Sequence, residues 1–336
     1  SVTGTDLQGI NGNLTGNYAL GSNIDASATA GWNAGAGLLP LGQGITSFFS
    51  GVFQGLGNSI SNLHINRPST DFVGLFGLTG SGLPTLLKGT IENLKLDAVS
   101  IVGQNYIGAA VGYSNGYIKN VFSSGSLSNG NNASNDIGGL VGFNYGLVDK
   151  SGSSVEVRLT SAASYSIGGL VGSNRTDLLS HGVTNSYSTG NVVANLSGIF
   201  EIGGLVGYNI SSISNSYSTG NISVGTTSQT VGGFVGLSTG SITNSYSTGV
   251  VQAGDLASSV GGLVGRNSGP ITNSYSKGNV TSGTFTKAIG GLIGSNSGVI
   301  KNSYATGNIQ AGADSGANGF SYNGGGGLVG YNSGEI

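Results

Sequence analysis

The chain contains no cysteine and no methionine, only four prolines, and only 11 Lys+Arg against 13 Asp+Glu in 336 residues. Without thiols there is no disulfide framework, no thiolate metal site and no cysteine nucleophile. Without methionine the chain cannot start at its own initiation codon, so it is expected to be a processed or excised piece. Charged residues make up 7%, where about 25% is usual, so solubility rests on Ser, Thr and Asn. A net charge of −2 with no basic run argues against nucleic acid, which is bound by clustered cations that displace counterions. No apolar run reaches the length of a membrane helix, and no basic-then-apolar leader opens the chain. No window carries the 3.6-residue period of a long amphipathic helix.

What is abundant is glycine, 66 residues. It does not fall at every third position, which excludes collagen. Hydrophobic residues reach 37%; Val, Ile, Leu, Tyr and Phe recur at regular spacing, which excludes disorder and points to strands.

The regularity is a repeat. Ile137-Gly138-Gly139-Leu140-Val141-Gly142 returns at residues 167–172, 202–207, 231–236, 260–265 and 289–294, and without its leading residue at 326–330. The second glycines, Gly139, Gly169, Gly204, Gly233, Gly262, Gly291 and Gly327, are separated by steps of 30, 35, 29, 29, 29 and 36. Degenerate copies at 73–77 and 107–112 bring the total to nine. A second motif follows each core, as in Val183-Thr184-Asn185-Ser186-Tyr187-Ser188-Thr189-Gly190, and recurs at 213–220, 242–249, 271–278 and 300–307. Turns such as Asn267-Ser268-Gly269 join the two motifs with residues that tolerate positive φ. The variable stretch after the second motif is where the long steps are expected to place their extra residues.

A repeat of this length cannot bury an apolar face alone, but stacked copies can. Each copy reads as two or three short strands, and the stack as an all-β parallel β-helix (β-solenoid) with about one coil per 29–36-residue repeat. Residues 1–70 read as a lead-in or capping segment and 71–336 as the repeat solenoid, with an incomplete last repeat. Strict alternation puts Ile213, Asn215, Tyr217 and Thr219 on one face. With Ile as the inward marker, the columns Asn185, Asn215, Asn244, Asn273, Asn302 and Tyr187, Tyr217, Tyr246, Tyr275, Tyr304 are expected inside and the serines outside; the opposite facing would put a tyrosine ladder on the surface.

The Gly-Gly-Leu-Val-Gly cores followed by Asn-Ser-Tyr-Ser-Thr-Gly resemble the GLUG repeat of bacterial surface proteins. Residues 13–20, 23–29, Trp32-Asn33 and 53–63 are similar to the segment that leads into such repeats in filamentous-haemagglutinin-like exoproteins. The resemblance implies export from a Gram-negative cell, often by two-partner secretion, and adhesion or biofilm roles on large passenger proteins. Nothing here matches the amino-terminal secretion domain of those exoproteins, which makes an internal piece the expectation.

No catalytic constellation stands out. The acids are scattered; only Asp136 and Glu201 share a phase of the repeat, two coils or roughly 9.6 Å apart, and both read as solvated carboxylates. His64 and His181 have no partner at triad or metal spacing and read as surface residues. The glycine pairs lack the Lys-Thr and helix of a phosphate loop. Sequons at Asn13, Asn132, Asn174, Asn195, Asn209, Asn221 and Asn279 arise by chance in so Asn-rich a chain, and Trp32 reads as core. No cofactor or metal is called for. The reading is a secreted or surface structural and adhesive solenoid without turnover. Its partners are a host-surface or matrix glycan or protein, or copies of itself end to end, with no nucleic acid and no membrane insertion. A carbohydrate-active enzyme is the alternative, to be recognised by a carboxylate pair within about 5 to 10 Å in a groove. Ice binding by Ser and Thr columns is a third.

Overall fold

In a computed structural model the described residues are 6–80, 89–130, 133–161, 164–175, 182–315 and 324–336. His181, Asp177 and Asn132 lie outside them. The chain is a parallel β-helix. One coil runs through five short strands, Thr230–Gly232, Val235–Ser238, Ile242–Thr243, Tyr246–Ser247 and Val251–Ala253, more than the two or three expected. Each pairs in parallel with its equivalent 29 residues on: Val231 with Val260, Val235 with Val264, Ile242 with Ile271, Tyr246 with Tyr275 and Val251 with Val280. The ladders merge into sheets of 25, 9 and 7 strands. The 9-stranded sheet joins Phe76, Val111, Val141, Val171, Val206, Val235, Val264, Ile293 and Val329, one from each copy of the core.

The inside is aliphatic. Val260, Leu263, Val264, Ile271 and Val280 of one coil are each fully buried, and full burial of such a side chain contributes about 1.5–3 kcal/mol. Their strands pair with the equivalents in the coils above and below, so a coil without neighbours would leave this apolar face open. Glycine is required where coils touch: a Cβ on Gly233 would strike the carbonyl oxygen of Gly262 in the next coil and approach Ser247 Oγ. Gly139, Gly169, Gly204, Gly262 and Gly291 stand in the same position against the next glycine.

The facing of the second motif corrects the alternation. Ile213 is buried, but Asn215 is exposed with φ +50°, as are Asn185, Asn244, Asn273 and Asn302 at +49° to +51°. A left-handed residue turns a corner and resets the alternation. Beyond it Ser216 and Ser218 point inward, 1% and 0% exposed, and Tyr217 points out. Ser186 N donates to Ser216 Oγ of the next coil at 3.1 Å, and Ser218 Oγ donates to the Gly233 carbonyl half a turn on at 2.6 Å. Ser188 Oγ and Ser276 Oγ are buried without a hydrogen-bond partner among the described residues. Asn267-Ser268-Gly269 holds no positive φ; Asn267 ends a strand and is buried.

The long steps also need correction. Asn144 pairs with Asn174 and Leu147 with Gly182, so the 35-residue step inserts between core and second motif, not after it. The 36-residue step does insert after it, since Val280 pairs with Ile309 but Ala288 with Gly324. The parallel ladders resume in register after both.

Residues near the amino end extend the same stack. Tyr18 pairs with Phe53 and Phe53 with Ile91; Ile24 pairs with Ile60 and Ile60 with Leu96. A 3-10 helix at Leu7–Gly12 carries buried Gln8, whose Oε1 accepts from Leu39 N at 2.6 Å and Asn33 Nδ2 at 2.8 Å. Trp32 is partly buried against the core.

Candidate functional site

Three kinds of column reach the surface. The first is the tyrosine ladder, with ring centroids 5.3, 5.1, 4.9 and 5.0 Å apart from Tyr187 to Tyr304 and planes within 9° of parallel. Rings stacked on both faces expose only edges, so Tyr217, Tyr246 and Tyr275 offer no flat platform to a ligand. Burial raises the phenol pKa of Tyr187 and Tyr246, and neighbouring tyrosines add to it. The second is the exposed asparagine ladder, in which Asn244 Nδ2 donates to Asn215 Oδ1 at 3.2 Å and Asn273 to Asn244 at 3.2 Å. Amide bonding between coils therefore exists where it was expected, but on the outside. A separate buried amide column runs Asn144, Asn174, Asn209, with bonds of 2.9 and 2.8 Å.

The third column is not uniform, and it holds the one concentration of chemistry. At the corner before each core, Phe72, Tyr106, Asp136, Ser166 and Glu201 all have φ between +54° and +58°. Their later counterparts Thr230, Ser259 and Ala288 do not. Left-handed backbone at non-glycine residues costs of order 1–3 kcal/mol and persists only where the surroundings impose it.

Across from this corner, outward positions of successive coils read Tyr113, Phe143, Ser173, Tyr208. Tyr113 and Phe143 stack at 4.6 Å and 6°. Ser173 interrupts the aromatic column and leaves a notch one coil wide. The Asp136 carboxylate enters it and accepts a bond from the Ser173 hydroxyl. Arg175 lies across the notch, its guanidinium 4.6 Å from the Tyr208 ring and 5.6 Å from Phe143. Its Nε is buried and has no hydrogen-bond partner among the described residues.

Asp136, 6% exposed, is thus not the solvated carboxylate expected of it. Burial pushes its pKa up to about 6; the Ser173 hydroxyl and the Arg175 charge pull it down, and Glu201 pushes it up. Ser166, in the coil between the two acids, donates to Glu201 Oε2 at 2.6 Å, and its hydroxyl also helps to lower the Asp136 pKa. Burial likewise raises the phenol pKa of Tyr106 and Tyr113. Tyr106, Asn135, Asp136, Tyr165, Ser166, Arg175 and Glu201 line an open cleft of about 360 Å³.

A buried carboxyl that titrates near pH 6 with a second carboxyl beside it is a pairing that acid–base chemistry uses. Here both carboxyl groups are engaged by serine hydroxyls, and Asp136 shows little surface. No group of three or more His, Asp or Glu among the described residues is placed to hold a metal ion. His64 is half-buried in the strand His64–Asn66. Of the sequons, Asn174 and Asn209 are buried, while Asn13, Asn195, Asn221 and Asn279 are exposed. The notch had a partial signal: over four successive copies of the core the residue after the last glycine is aromatic at Tyr113, Phe143 and Tyr208 but small at Ser173, although later copies carry Leu237, Arg266 and Ser295 there.

The family model of the GLUG motif matches residues 199–223, 227–252, 257–281 and 286–310. A stretch of 131 residues, 38% of this chain, is 42% identical to halomucin of Haloquadratum walsbyi. The chain spans about 1% of halomucin's length. Among solved structures, a Bacteroides ovatus chain provisionally described as an immunoglobulin A1 protease aligns with a TM-score of 0.42 and 19% identity, over 91% of this chain and 74% of that one.

Proposed function

We propose that this chain is a rigid structural and adhesive segment of a secreted or cell-surface protein, with residues 1–70 as the capping end and 71–336 as the rod. The observation that carries this reading is the register of its columns. Identical side chains repeat from coil to coil, as in Tyr217, Tyr246 and Tyr275, so the greater part of the surface is the same chemistry many times over. That suits spacing, lateral association and multivalent attachment, whereas turnover needs one differentiated place. Thiol-free, low-charge composition fits an exported rod, with the Gram-negative route as its expected origin. Adhesion to a host-surface or matrix glycan or protein, and stacking of copies end to end, are the interactions it would make. The test is to couple the purified 336-residue chain to beads and measure their retention on cell and matrix surfaces. Retention above that of uncoated beads is expected; its absence would overturn the reading.

One observation favours a second reading. Asp136 and Glu201 line one cleft on either side of Ser166, which donates to Glu201, and a pair of carboxyl groups in one groove is what glycoside hydrolysis uses. Release of oligosaccharides from a polysaccharide panel, abolished in Asp136→Asn, would support it over the adhesive rod.

A further inference from the structure

We propose that the cleft between the Asp136 corner and Arg175 is a subsite for a neutral sugar ring of a glycan chain; this deepens the adhesive reading and rests on it.

Three independent features converge there. Arg175 Nε is a buried donor with no partner among the described residues. An unsatisfied buried donor costs about 1–3 kcal/mol, which an acceptor arriving in the cleft would recover. Left-handed backbone at Asp136, Ser166 and Glu201 holds three polar side chains on one line in consecutive coils, and the next coils abandon that conformation. Phe72 and Tyr106 hold the same conformation in the two coils before, so the corner is shaped in advance of the acids that occupy it. The third feature is Tyr165, 43% exposed. Phe200 stacks on it from one side at 4.4 Å and 12°. Its neighbour in the preceding coil is Asn135, an exposed small residue, so no aromatic ring among the described residues covers the other face. Unlike the interior rings Tyr217, Tyr246 and Tyr275 of the ladder, stacked on both sides, Tyr165 keeps a ring face for stacking, as sugar rings require.

The charges select the class of ligand. Glu201 and Asp136 supply negative charge and acceptors; Arg175 supplies a planar set of donors. A uronate or sulfated chain would bring anions against two carboxyl groups, at a cost. Hydroxyls both donate and accept, so one pyranose satisfies Arg175 and Glu201 together without adding charge. A cleft of about 360 Å³ is at the small end of ligand sites, which run from about 300 Å³, and fits one or two rings. The remainder of a chain would follow the same corner past Thr230 and Ser259, where the face turns basic at Arg266 and Lys287 in a second depression of about 290 Å³.

The experiment uses the intact 336-residue chain and immobilised neutral oligosaccharides of gluco-, galacto-, manno- and xylo-configuration, with polygalacturonate oligomers alongside; the best binder is titrated calorimetrically. A neutral oligosaccharide is expected to bind saturably, and Arg175→Ala and Tyr165→Ala each to weaken it at least tenfold. Tyr246→Ala, on the ladder, is expected to leave it unchanged. Melting curves of the three variants check that they fold, and Arg175→Lys, which keeps the charge but loses Nε, is the reserve should Arg175→Ala not fold. Binding of the uronate series alone, binding of no glycan, or undiminished binding by both cleft variants would overturn the subsite. If beads bearing the cleft variants are still retained on surfaces like the parent, the subsite falls and the adhesive rod stands; if beads bearing the parent are not retained, the rod reading falls too.

Discussion

Tyr246 and Tyr275 lie one coil apart on the outside of the rod with ring centroids 4.9 Å apart and planes 1° from parallel. Each interior member of the ladder makes two such stacks, worth about 0.5–1.5 kcal/mol apiece. Tyr246→Ala is therefore expected to destabilise by about 1–3 kcal/mol, and Tyr246→Phe, which keeps the ring, by far less. Thermal melts of the two variants check this. Equal losses would show that the hydroxyl, not the stack, matters.

Gly233 faces the Gly262 carbonyl of the next coil with no room for a methyl group. Gly233→Ala must push two coils apart, an overpacking cost of about 1–3 kcal/mol or more. Gly21→Ala, where nothing lies within 4 Å, is expected to be close to neutral. Comparison of their urea midpoints separates close approach between coils from a general effect of losing glycine.

The two asparagine columns answer differently to mutation. Asn174 is buried, accepts from Asn144 and donates to Asn209; Asn174→Ala strands two amides and is expected to cost about 2–4 kcal/mol. Asn215 is exposed at φ +50°. Asn215→Gly keeps that conformation and is expected to stay within about 0.5 kcal/mol, whereas Asn215→Ala costs about 1–2 kcal/mol through strain. Chemical denaturation of the three variants measures the order.

Asp136 sets a pH dependence. Its folded pKa of about 6 lies above the ordinary 3.8, so between these values the folded chain holds a proton that the unfolded chain has lost. Its contribution to stability is full below pH 4, declines as pH rises from 4 to 6, and is flat above. Two units correspond to about 2–3 kcal/mol. Asp136→Asn keeps a neutral group at a left-handed corner and is expected to remove that slope and to be the more stable protein at pH 7. Melts of both chains from pH 4 to 7 test the sign; parallel profiles would contradict it.

Architecture was legible because a repeat broadcasts it: steps of 29 or 30 residues between identical cores translate directly into register, and inward Ile213 and Val235 follow from their apolar character. Facing was misread because alternation assumes continuous strand, and a single left-handed Asn215 shifts everything after it by one. Asn is among the few residues that adopt that conformation readily, so its recurrence before Ser-Tyr-Ser was the available signal. The Asp136 cleft was legible only as shared phase. That Ser166 would bond Glu201, that Ser173 would bond Asp136 and that Arg175 would lie over Tyr208 depends on side chains from three successive coils, and the 35-residue step beside Arg175 hid its place in the period.

Register between coils is what every column rests on, and the absence of native cysteine makes it directly measurable. Thr219 and Thr248 are exposed positions one coil apart, and Thr219 and Lys277 two. Their Cα separations are about 4.8 and 9.6 Å, and a disulfide needs about 4.4–6.8 Å. In the folded chain under mild oxidation, Thr219→Cys with Thr248→Cys is predicted to close an intramolecular disulfide, and Thr219→Cys with Lys277→Cys to remain reduced. Failure of the first pair, or equal closure of the second, would contradict the stack.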